Sequence, residues 1–152
     1  MNRRPVATLG VIALAAVAAA PLAGGAALPP KTSFTVVTSF LTPSSPIIAA
    51  TGPWAACTSV SDLSGSANQW SPRTIRFSGE KRVECEGGDV VIRYDADMSL
   101  SGPDSRERRT FGTWSVVWSE EGAPVTGGAG RVEGVNRGCQ DCILDTFSGR
   151  VY

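Results

Sequence analysis

The chain has 152 residues, 14 of them basic and 14 acidic, with four cysteines and no histidine. Without imidazole there is no serine or cysteine nucleophile activated by a histidine base, no histidine-ligated zinc, and no side chain whose ordinary pKa lies near neutrality. Any chemistry falls to carboxylates, arginine, tyrosine or a bound group, and no motif asks for a cofactor or a metal.

Asn2, Arg3 and Arg4 precede an uncharged run from Val6 to Ala20, which contains Leu9, Val11, Ile12 and Leu14 and stops at Pro21. This is the profile of a signal peptide, and the run is shorter than the roughly 20 residues a membrane-crossing helix needs. Gly24, Gly25, Ala26 and Ala27 offer a cleavage site after Ala26 or Ala27. Residues 1–27 are therefore expected to leave as a helical leader and residues 28–152 to form the secreted protein, with no stable membrane insertion. Once Arg3 and Arg4 are gone, acidic groups outnumber basic ones by two, which gives no reason to expect a nucleic-acid partner. The remaining length of roughly 125 residues suits one domain with a single core.

From Thr32 onward, period-2 alternation recurs between turns marked by glycine and proline, so the expected fold is all-β. Candidate strands, in chain order, are Ser33 to Leu41, Trp54 to Val60, Thr74 to Ser78, Arg82 to Glu86, Asp89 to Leu100, Thr110 to Ser119, Gly128 to Val135 and Ile143 to Tyr152. Asp89 to Leu100 alternates most clearly, with Val90, Ile92, Tyr94, Ala96, Met98 and Leu100 on one face. Ser78-Gly79-Glu80-Lys81 and Glu86-Gly87-Gly88-Asp89 read as tight hairpins, because glycine reaches the positive φ that such turns require. Ser101 to Asp104 and Glu121 to Pro124 mark longer loops. Consecutive hairpins favour a meander, and about eight strands close into a single antiparallel barrel with no exposed edge; a two-sheet sandwich is the alternative.

The run Gly112-Thr113-Trp114, followed by Val116, Gly127, Gly130, Gly134, Asp145, Ser148 and Gly149, resembles small exported actinobacterial proteins of the allene oxide cyclase-like, or dirigent-like, barrel group. The resemblance spans Asp89 to Tyr152 and rests on glycines and one tryptophan. It implies a barrel, and for the bacterial members a function largely unknown; plant members guide cyclisation or coupling of small apolar molecules. The turn after the tryptophan strand, Ser119 to Pro124, departs from the glycine-rich pattern, and no catalytic residue is carried over. Gly112-Thr113-Trp114 is also similar to a lipocalin signature, but there the triplet belongs on the first strand.

Four cysteines in an exported small domain imply disulfides. Cys57 with Cys85 is the favoured pair, leaving Cys139 with Cys142 to staple the last loop. Cys139-Gln140-Asp141-Cys142 has redox spacing, but Asp141 opposes a lowered thiol pKa, so the structural reading is preferred. Asp95 and Asp97 share one strand face and read as solvated. Asp145 alternates with Ile143 and Phe147 and is expected to point inward, where it needs a partner such as Arg131 or Tyr94.

Tyr94, Met98, Trp114 and Trp118 are expected to face a cavity, with Asp145 as the charge near its guest. The leading expectation is a secreted, non-catalytic barrel that binds a small apolar molecule or contributes to the cell surface. Its rivals are a cofactor-free isomerase or cyclase and an interaction or inhibitor module presenting the Ser101 to Arg109 loop.

Overall fold

A computed structural model of the protein describes residues 27–39, 42–101, 107–136 and 142–152. The expected leader, the centre of the Ser101 to Arg109 loop and the proposed Cys139–Cys142 staple lie outside the described residues.

Eight strands form the fold: β1 (Lys31–Ser39), β2 (Ser44–Ala50), β3 (Cys57–Ser71), β4 (Thr74–Cys85), β5 (Val90–Ser101), β6 (Glu107–Ser119), β7 (Gly128–Val135) and β8 (Cys142–Val151). Each pairs antiparallel with the next, and β8 returns to β1 over the register Lys31↔Arg150 to Ser39↔Cys142. The sheet is thus a closed barrel and not a sandwich.

The number of strands agrees with the sequence reading, but their identities shift. Thr74 to Ser78 and Arg82 to Glu86 are one continuous strand, and the turn expected at Gly79 does not exist. Gly79 stands directly opposite Gly65 on β3, where a Cβ would overlap the Ser64 carbonyl. The glycine serves close approach of two strands, which leaves the same mark in a sequence as a turn. Trp54 to Ala56 belong to a short 3₁₀ helix, Gly52–Ala56, and the strand expected there starts at Cys57. β2 was not anticipated, because Ser-Ser-Pro-Ile-Ile-Ala-Ala carries neither alternation nor strand-rich composition. The hairpin at Gly87 and Gly88 is present, with φ of 91° and 147°.

The two ends of the barrel differ. At the closed end the 3₁₀ helix inserts Trp54, which is fully buried, beneath Phe34 at 4.8 Å and edge-on to Trp114 at 5.8 Å. Phe34 stacks in turn on Phe147 at 4.8 Å. The loop between β6 and β7 folds over this end and buries Ala123 and Val125. Thr51 ties the helix entrance to β1 through its hydroxyl, which accepts from the Ser33 amide at 2.8 Å. The Cys57–Cys85 disulfide, as expected, joins the helix exit to the end of β4.

Glycine again serves close strand approach in the register Tyr94↔Trp114↔Gly130↔Gly149, where a Cβ on either glycine would overlap the backbone of the neighbouring strand. The Trp114 indole reaches across these strands, and its Nε1 donates to the carbonyls of Arg131 (3.1 Å) and Ser148 (3.3 Å).

The outer wall is polar. Arg76 makes a two-point contact with Asp97 (3.0 and 3.3 Å) and Arg93 pairs with Glu80 at 2.8 Å, which places Asp95 and Asp97 on the solvated face as read. Exposed pairs of this kind add little stability.

Candidate functional site

The site grows out of strand parity at the open end. On β5, Tyr94, Ala96 and Met98 point inward; on β6 Thr110, on β7 Val132, and on β8 Ile143, Asp145 and Phe147 do the same. Together with Thr38, Phe77 and Lys81 they enclose a cavity of about 490 Å³. Ligand pockets typically measure about 300–1,000 Å³ and are mostly apolar with a few placed polar groups.

Four ionisable groups line this space, Asp62, Lys81, Tyr94 and Asp145. Lys81 is buried; its ammonium donates to Asp62 Oδ1 at 2.5 Å and lies 5.2 Å from the Tyr94 ring centroid. Asp145 is 7% exposed, and its Oδ1 has no hydrogen-bond partner on the protein; nor does the Thr38 Oγ1 beside it. Gly134 lies opposite Asp145, and a Cβ there would overlap Oδ1. The carboxyl fits because β7 has no side chain at that point.

Burial pushes the Asp145 carboxyl above the ordinary carboxylate range, and Asp62 adds to this. The Thr38 hydroxyl, the Lys81 charge and the Thr110 hydroxyl offset part of it. Tyr94 is likewise raised, first by burial and then by Asp62 and Asp145.

Of the residues expected at the site, the structure brings Tyr94, Met98 and Asp145 together. Trp114 lies below them in the closed-end cluster. Trp118 is elsewhere: it is 53% exposed and lines an outer groove with Tyr152 near the closed end. The cause is a bulge in β6, where the register passes from Ile92↔Val116 to Val91↔Trp118. The extra residue, Val117, reverses the parity, so Trp118 turns outward while Trp114 and Val116 stay inside. Arg131 does not meet Asp145 either; it is exposed on the outer wall.

The sequence reading missed Lys81, Asp62, Thr38 and Thr110. Lys81 shares parity with Phe77 and Val83, a signal that an expected turn at Gly79 hides. Among the described residues no group of three histidine, cysteine, aspartate or glutamate side chains is placed to hold a metal ion.

A second depression, lined by Ser64, Ser78, Glu80, Arg93, Tyr94 and Trp114 among others, is about 590 Å³ but more open to solvent than the interior cavity. It carries no unpartnered buried group among the described residues, so the interior cavity is the better candidate. No family model, curated protein or solved structure matches this chain.

Proposed function

We propose that the protein is an exported barrel that binds a small, largely apolar molecule inside its open end and does not transform it. The observation that carries this reading is the cavity itself, about 490 Å³ with walls of Phe77, Ala96, Met98, Val132, Ile143 and Phe147. Packed interiors tolerate few voids larger than water, and a volume of this size matches a ligand site. The signal-peptide profile and the resemblance to allene oxide cyclase-like barrels point the same way.

A second reading, a cofactor-free isomerase or cyclase, is favoured by one observation: a carboxyl with a raised pKa faces the space where a guest would lie, and such groups recur where protons are transferred.

Native mass spectrometry of the secreted protein, followed by organic extraction and titration with a library of small apolar compounds, tests the binding reading. A guest of defined mass is expected, and Met98→Trp, which fills the cavity, is expected to abolish its binding while the barrel stays folded. Failure of every compound to bind would remove the reading. Chemical conversion of a bound compound by wild type but not by Asp145→Asn would replace it with the second.

A further inference from the structure

Two features of the cavity bear on what its guest is and when it is held. The first is a charge balance. Lys81 on β4 is already neutralised by Asp62 on β3 at 2.5 Å, and the pair rests against Tyr94 on β5. An anionic guest would have to displace Asp62 from Lys81 while facing a second carboxyl, Asp145. The second feature is the unsatisfied oxygen of Asp145. Around it β1 presents Thr38, β6 Thr110 and β7 only Gly134; the two hydroxyls lie close enough to favour the ionised form in part, but no described residue supplies a hydrogen bond to Oδ1. Lys81, Asp62 and Tyr94 are the ionisable groups that interact with it.

A buried carboxylate with one oxygen left unsatisfied is disfavoured, whereas a neutral carboxyl carries one hydrogen-bond donor and fits apolar walls. We propose that the site selects an uncharged apolar molecule bearing a carbonyl or similar acceptor, held by the protonated Asp145 carboxyl, and that it releases this guest when Asp145 ionises. The inference rests on the binding reading above and deepens it. On ionisation the proton leaves to bulk water through the open end, the donor to the guest is lost, and a charge now demands hydration in the space the guest occupied. The direction of the Asp145 shift, upward through burial, is consistent with a neutral form that persists beyond the usual carboxylate range.

Because only the protonated fraction is competent, apparent affinity falls up to tenfold for each pH unit above the point where Asp145 titrates. Asp145→Asn keeps an uncharged side chain with an amide donor, so its binding should not change with pH.

The test uses three probes sharing one decyl body and ending in a methyl ketone, a sulfonate or a primary amine. Each is titrated by calorimetry into the wild-type protein and Asp145→Asn across about pH 4 to 9, a span that covers the ordinary carboxylate range and values well above it. The ketone is expected to bind wild type at least tenfold more tightly than either charged probe at the acid end, and to weaken by at least tenfold toward the alkaline end. In Asp145→Asn the ketone should bind with no pH dependence. Equal binding of the three probes, or a ketone affinity that is flat in wild type, overturns this inference and leaves the binding reading standing. Binding of no probe at any pH removes both.

Discussion

The closed and open ends of this barrel are built from the same eight strands but treat buried groups in opposite ways. At the closed end Trp54, Phe34, Phe147 and Trp114 fill the interior ring against ring, the β6–β7 loop lies across them, and a disulfide fixes the point where the 3₁₀ helix meets β3. At the open end the strands carry smaller or polar groups inward, including Thr38, Thr110, Gly134 and Asp145, and a cavity remains. The difference shows that closure of a barrel does not by itself decide whether it is solid. Side-chain volume in each interior layer decides it: where the Trp114 indole reaches across to β7 and β8 the space is consumed, and where Gly134 opposes Asp145 it is given to a carboxyl.

The largest effects should come from breaking the closed end. Trp54→Ala removes the plug and is expected to cost about 3–5 kcal/mol, the range for large-to-small changes of a buried aromatic. Replacing Cys57 and Cys85, 28 positions apart, together by serine is expected to cost about 3 kcal/mol through the entropy of the unfolded chain. Denaturant unfolding measures both. Losses below about 1 kcal/mol in both variants would show that the closed end does not dominate stability and would erase the contrast with the open end.

A smaller effect sharpens the contrast from the other side. Burial raises Asp145 in the folded state, so the fold retains a proton that the unfolded chain gives up near its ordinary value of about 3.9. Stability from the neutral carboxyl is fully present below that value and is lost as pH rises through the higher folded value. Wild-type stability should therefore fall relative to Asp145→Asn as the pH climbs above about 4. Parallel pH profiles for the two proteins, followed by thermal unfolding, would mean that the carboxyl is solvated and the open end is not an apolar site.

How much of this was legible in the sequence depended on whether alternation survived along each strand. β5 kept a strict two-residue period, and the inward placement of Tyr94, Ala96 and Met98 follows from it. Cys57 and Cys85 pair because they sit opposite one another at the closed-end limits of β3 and β4, where the chain had marked both as strand residues. Asp145 was readable for the same reason, between Ile143 and Phe147. The failures share a physical cause, a local break in the pattern that only pairing with a neighbour resolves. Gly79 looks like a turn because a glycine needed for strand approach and a glycine needed for positive φ are the same letter. Lys81 then loses the parity that sends it inward, and Asp62 lies beyond Val60, where the expected strand ended although β3 continues to Ser71. Trp118 obeys the alternation of Trp114 in sequence, and the bulge at Val117 reverses it in space.

The most direct test of the two-ended account is a methyl-labelled NMR titration with the decyl methyl ketone at acid pH. Met98, Ile143 and Val132 line the cavity, whereas Val83, Val90 and Val125 are fully buried or nearly so toward the closed end. The account predicts shift changes and guest-to-protein Overhauser contacts at the first three methyl groups, with the second three unmoved. Contacts confined to the outer groove of Val117, Trp118 and Tyr152, or to the closed-end valines, would contradict it.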